Sequence, residues 1–268
     1  MPSALIGSRT FGYDDTGRGD ARSGPPLVLV HGHPFDRTMW IPQLAAFGET
    51  HRVITPDLRG YGASTVEPGV TPLSAFAADT AALLDHLGVE RFVLGGLSMG
   101  GQIVMECYRL FPERISGLIL ADTFPAAETE VGKAARYEMA DRLLRDGMRG
   151  YADEVLHKMV APDADPETAA HVHRMMCGTD PEGAAAALRG RAERPDYREL
   201  LTRVTVPALV VVGRDDEYTP VAEAEAMHAA IPDSTLCVVE SAAHMPNLER
   251  PAEFNAALRD YLDVARPA

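Results

Sequence analysis

The sequence predicts one α/β domain built on a mostly parallel, doubly wound sheet, with a helical insertion in its second half. Three observations carry this. Short apolar, β-branched runs alternate with helical patterns, which is how a sheet covered on both faces reads. The alternation stops once, over a stretch of helices. One of the strands runs directly into a helix through a glycine-flanked serine.

The strand runs lie at 27–30, 52–55, 92–94, 118–120, 208–212 and 236–239, each stopped by glycine, proline or aspartate. Between them, 79–87 sets Leu83, Leu84 and Leu87 on one helical face and stops at Gly88, and 102–111 closes at Pro112. Pro251 opens a last helix striped by Phe254, Leu258 and Tyr261 or Leu262. From 124 to 204 only helices are expected, near 133–145 and 151–160. Two more follow Asp165-Pro166-Glu167 and Asp180-Pro181-Glu182, where aspartate caps and proline fits the first turn. The expected organisation is a core of 1–123 and 205–268 with a helical lid of 124–204.

The chain has 268 residues, 46% of them hydrophobic and 24% charged, an ordinary globular composition long enough to bury a large core. Its formal net charge of −14 repels phosphate backbones and anionic head groups, which speaks against nucleic acid and membrane partners. The N-terminal residues do not read as a secretory leader, and no run is long and apolar enough to span a bilayer. Cys107, Cys177 and Cys237 are few and widely spaced, so no disulfide framework is expected, and a cytoplasmic location is the default. Nothing in the pattern addresses oligomeric state.

The chemistry centres on Gly95-Gly96-Leu97-Ser98-Met99-Gly100-Gly101, between a strand and a helix. A serine on so sharp a turn exposes its hydroxyl, and glycines at Gly96 and Gly100 remove the Cβ atoms that would crowd it. The amide of Met99, at the start of the next helix, can receive an oxyanion. The run has neither Gly-x-Gly-x-x-Gly spacing nor a following Lys-Ser or Lys-Thr, which removes both nucleotide-loop readings. A serine nucleophile needs a base, and the base needs an anionic partner. Among nine histidines, His244 follows the last strand run, and Asp216 follows the one before it. The order Ser98, Asp216, His244 is the order a nucleophile-elbow triad takes in such sheets.

These segments resemble the α/β-hydrolase superfamily over nearly the whole chain outside the lid. The resemblance rests on His31-Gly32-His33-Pro34, on Asp57-Leu58-Arg59-Gly60-Tyr61-Gly62-Ala63-Ser64, and on the loop from Gly213 to Pro220. It also rests on His244 with Glu249 and Pro251. It implies the α/β-hydrolase fold, selects Asp216 over Asp215, and assigns the second oxyanion amide to His33. It offers Asp122 as a second-choice acid. A serine at 98 speaks against branches with a carboxylate nucleophile. The implied enzyme is a serine esterase or lactonase acting on a small, largely apolar molecule, with no cofactor and no metal. The same triad also serves carbon–carbon bond hydrolases, thioesterases, peptidases and perhydrolases, and a receptor that turns over slowly keeps it too. A degenerate, purely structural copy is disfavoured by the intact triad.

Two weaker signals lie in the lid. Met139, Met148, Met159, Met175 and Met176 suit either a pliable pocket or packing under the lid. His173 and Cys177 share a helix face near His171, but no further zinc ligands accompany them.

Overall fold

The computed structural model describes residues 2–17 and 24–264; Met1, at the head of the segment read for a leader, lies outside them. The described strands are β1 (Ser3–Ile6), β2 (Arg9–Asp15), β3 (Leu27–Val30), β4 (Val53–Pro56), β5 (Phe92–Leu97), β6 (Ile115–Ala121), β7 (Ala208–Gly213) and β8 (Ser234–Val239). They form one sheet in the order β1-β2-β4-β3-β5-β6-β7-β8. From β4 to β8 every neighbour is parallel, while β1 and β2 are antiparallel. The parallel part matches the six runs read from the sequence. The antiparallel pair was not foreseen, because its residues are half exposed and β2 ends in two aspartates.

Parallel strands need covering on both faces. Alternation along β3 sends Val28 and Val30 to one side and Leu27 and Leu29 to the other. The first side packs on α2 (Leu73–His86), α3 (Met99–Leu110) and α9 (Val221–Ala230) through Phe76, Ile103, Val104 and Met227. The second packs on α1 (Ile41–Phe47), the short α10 (Pro246–Glu249) and α11 (Pro251–Val264) through Phe47, Leu248, Phe254 and Leu258. Helix α2 starts six residues before the sequence reading of 79, and α3 starts at Met99 with Gly100 and Gly101 already inside it.

Between β6 and β7 the described chain is helical: α4 (Glu130–Asp146), α5 (Arg149–Met159), α6 (Pro166–Gly178), α7 (Pro181–Ala192) and the short α8 (Arg198–Leu201). Asp165 and Asp180 cap α6 and α7 by accepting from Thr168 N at 3.0 Å and Glu182 N at 2.8 Å. Helix α4 packs on α7 through Ala140, Leu143, Ala184, Ala185 and Leu188. Helix α7 is pressed backbone to backbone on the loop after β4. A Cβ on Gly183 would lie 2.0 Å from Gly60 O, and one on Gly190 would lie 1.7 Å from Thr71 O. Among the described residues no helix is long and apolar enough to cross a membrane.

Candidate active site

Open parallel sheets collect functional groups beyond the carboxyl ends of their strands, where the strand order reverses. Here β3, β5, β6, β7 and β8 are successive neighbours, and the residues after them are His33, Ser98, Asp122, Asp216 and His244.

Ser98 joins β5 to α3 at φ 58° and ψ −117°, a conformation that non-glycine residues rarely adopt. Its N–H donates to Ala121 O at 2.9 Å and its carbonyl accepts from Thr123 Oγ1 at 2.7 Å, so the turn is pinned to the end of β6. The glycine at 100 is required by space: a Cβ there would sit 2.3 Å from Val30 O and 2.8 Å from His31 O. Met99 is the first residue of α3, so its N–H belongs to the first-turn amides that have no acceptor inside the helix.

His244 and Asp216 are both buried, with Nδ1 of the imidazole 2.8 Å from Asp216 Oδ2. Asp216 also accepts from Tyr218 N at 2.8 Å, from Thr219 N at 3.2 Å and from the Thr219 hydroxyl. Burial alone would raise its carboxyl, but His244 and the Thr219 and Tyr218 donors outweigh that and hold it below the usual carboxylate range. An ionised carboxylate only accepts, so Nδ1 carries a proton, and in the neutral imidazole Nε2 keeps its lone pair. Asp215 is exposed and does not take part.

Asp122 lies beside this pair. Its Oδ1 accepts from Gly213 N at 2.9 Å, tying β6 to the end of β7. Burial and the Asp216 charge push its carboxyl well above the usual range, and its Oδ2 has no hydrogen-bond partner. Asp122, Asp216 and His244 each offer an atom within 4.8 Å of the others, near enough to share an ion. The facing Nδ1 and Oδ2 are already bonded to each other, and Thr219 donates to the same oxygen.

The His244 loop is held by a residue that the sequence offered only as part of a pattern. Buried Glu249 accepts from Ala243 N at 3.0 Å and Met245 N at 3.2 Å, on either side of His244, and from Ala161 N after α5 at 2.6 Å. His31 is neutral scaffolding: its Nε2 accepts from Leu58 N at 2.9 Å, so Nδ1 must be the nitrogen donating to Gly32 O at 2.8 Å. Asp57 likewise serves the fold, binding Arg37 and accepting from Ala63 N at 2.8 Å.

Ser98, His244 and His33 line one cavity of about 220 Å³ together with Phe124, Arg136, Tyr151, Met159, Leu188, Arg191, Tyr218 and Thr219. Of the five methionines only Met159 lines it; Met139 reaches a neighbouring outer groove, while Met148, Met175 and Met176 are buried in packing. Away from the cavity, His173 Nε2 is 2.7 Å from Asp153 with Cys177 Sγ at 3.7 Å, while His171 turns to Thr38 O at 3.3 Å. The three residues do not converge.

A strained serine between strand and helix, in a cavity also lined by a histidine that is bonded to a buried aspartate, agrees with the relatives of the chain. The pattern defining the Alpha/beta hydrolase family matches residues 27–257. The chain belongs to that family, and it is a hydrolase. It is 32% identical, over 93% of its length and 90% of the relative's, to 3-oxoadipate enol-lactonase 2 of Acinetobacter baylyi. A malate-bound thermophilic esterase from Thermogutta terrifontis superposes with a TM-score of 0.93 at 39% identity, covering 98% of this chain and 97% of the other. The enol-lactonase from Burkholderia xenovorans LB400 gives 0.87 at 27%, covering 98% and 100%.

Proposed function

We propose that this hydrolase cleaves a carboxylic ester or lactone of a small molecule through an acyl-enzyme on Ser98. The observation that carries the reading is that His244, whose Nδ1 lies 2.8 Å from buried Asp216, lines the same cavity as Ser98. Ser98 Oγ attacks the carbonyl carbon and its proton passes to His244 Nε2, while Asp216 holds Nδ1–H and stabilises the imidazolium. The amides of His33 and Met99 receive the oxyanion. His244 then protonates the leaving alcohol, and a water activated by the same nitrogen releases the acid. Asp122 stands outside this cycle: a carboxyl kept neutral beside Asp216 adds no second negative charge.

Residues 124–204 are proposed as a lid over a core of 1–123 and 205–268. In support, Arg136, Tyr151, Met159, Leu188 and Arg191, all from this block, line the cavity opposite Ser98. The three unpaired cysteines fit a reducing, cytoplasmic setting.

A fluorophosphonate probe tests the nucleophile directly. Intact-protein mass should rise by one adduct per chain, the labelled peptide should contain Ser98, and acid-unfolded protein should not react. A folded protein that stays unlabelled, or a label elsewhere, would remove Ser98 from the mechanism.

A further inference from the structure

The cavity around Ser98 carries two arginines, Arg136 from α4 and Arg191 from α7, and no Asp or Glu among its described lining residues. Arg194, one turn beyond Arg191, joins them; it is fully buried and pairs with Glu128, as Arg136 does. Two of the three guanidinium groups therefore share one carboxylate. Arg191 is the one left over: among the described residues it has no ion pair, and its Nε donates to a neutral acceptor, Gln102 Oε1, at 2.8 Å. Such a surplus is unexpected in a chain of net charge −14, and a half-buried cation without a counter-charge is costly. Burial, Arg136 and Arg194 push the Arg191 guanidinium well below its ordinary value.

A second observation points into the same space. His33 is 6% exposed and lines the cavity; its Nδ1 is 2.8 Å from the Tyr61 hydroxyl, and its Nε2 has no hydrogen-bond partner. Either ring nitrogen can hold the proton; with it on Nε2, Tyr61 donates to Nδ1 and Nε2 is a further donor. The backbone contacts of Gly183 and Gly190 with the loop after β4 fix α7, and with it Arg191, at a set distance from the elbow.

We infer that Arg191, with Arg136 beside it, is the counter-charge for a carboxylate carried by the substrate, so that the enzyme takes a small anionic ester or lactone. This rests on the Ser98 reading above. With Nε held by Gln102, the two terminal nitrogens of Arg191 are left to meet a carboxylate as a fork. A cavity of about 220 Å³ is below the roughly 300 Å³ at which drug-sized pockets begin. A compact molecule suits this space, with its scissile carbonyl at Ser98 and its carboxylate at Arg191: the half-ester of a short dicarboxylic acid, or a lactone bearing a free carboxylate. This replaces the largely apolar substrate expected from the sequence.

The test compares mono-p-nitrophenyl glutarate with p-nitrophenyl butyrate on the wild type, Arg191→Gln, Arg191→Lys and Arg189→Gln. Arg191→Gln should lower the ratio of kcat/KM for the anionic over the neutral ester by about 10- to 100-fold, mostly through KM. Arg191→Lys should restore part of it, since the charge remains and the fork is lost. Arg189→Gln removes the same charge from the same helix, but Arg189 pairs with Asp141 outside the cavity, and the ratio should stay within about threefold. Calorimetry on Ser98→Ala gives a readout without turnover: glutarate should bind, while glutaramide and inorganic phosphate should bind more weakly. Equal affinity for glutarate and glutaramide, or a ratio unmoved by Arg191→Gln, would overturn the inference. Loss of all Ser98-dependent ester turnover with glutarate binding intact would instead overturn the hydrolytic reading and leave the carboxylate site standing.

Discussion

Glu249 allows a prediction whose size follows from its contacts. Its carboxylate accepts from Ala161, Ala243 and Met245, whose residues are 4%, 3% and 0% exposed. Glu249→Ala leaves these three N–H groups without acceptors in a buried place. At about 1–3 kcal/mol for each stranded donor, with some relief from water entering the vacated space, the loss is roughly 3–6 kcal/mol. Glu249→Gln keeps one oxygen, which can serve Ala243 and Met245 as Oε1 does, but turns an amide group towards the Ala161 N–H. Its loss should be about 1–3 kcal/mol. Against a total stability of about 5–15 kcal/mol these are large fractions. Urea unfolding should rank the wild type above Gln and Gln above Ala, with the Ala midpoint lower by about 1–2 M. Ester turnover should fall in the same order, since two of the three bonds flank His244. A Glu249→Ala midpoint indistinguishable from that of the wild type would refute the reasoning.

Asp216→Asn should cost about 10³- to 10⁴-fold in kcat, because an amide can stabilise the wrong imidazole tautomer, whereas Asp122→Asn should cost little if Asp122 already works as a neutral acid; steady-state ester kinetics on both variants decide. The two acids should also respond oppositely to pH. The folded Asp216 carboxyl is lowered, so its contribution to stability is present above the unfolded value and is lost as pH falls through the folded one. The urea midpoint of Asp216→Asn should approach that of the wild type below about pH 4. The folded Asp122 carboxyl is raised, so its contribution is present below the unfolded value and is lost as pH rises through the folded one. Asp122→Asn should therefore be at least as stable as the wild type near pH 7, with any gain vanishing towards about pH 4; the reverse trend would contradict the assignment. Gly100→Ala drives a Cβ to 2.3 Å from Val30 O, a backbone atom that cannot swing away. It should cost about 3 kcal/mol or more and lower Tm by roughly 6–12 °C.

The strands from β3 to β8 were legible in the sequence because a sheet buried on both faces needs unbroken apolar runs, and these stand out without any partner in view. Strands β1 and β2 were not: Asp14 and Asp15 at the end of β2 hold Arg37 and Arg52, a purpose that only the folded chain displays. Ser98 could be read from its glycines because its strain is local. The pairing of His244 with Asp216 followed from chain order, but the raised carboxyl of Asp122 beside them depends on β6 and β7 being neighbours. Glu249 showed only as a pattern member, since its three partners lie up to 88 residues away. Arg136 and Arg191 fall in no motif of the sequence. The available signal for Arg191 was its setting, an arginine beside Gly190 in an alanine-rich helix whose neighbours are nearly all buried.

The central claim is that Ser98 performs acyl transfer. Hydrolysis of short-chain p-nitrophenyl esters should be measured for the wild type and Ser98→Ala side by side, with matching unfolding curves to show that both are folded. The account predicts steady-state turnover in the wild type and a loss of about 10³-fold or more in Ser98→Ala. Turnover that survives the substitution in a folded protein would contradict it.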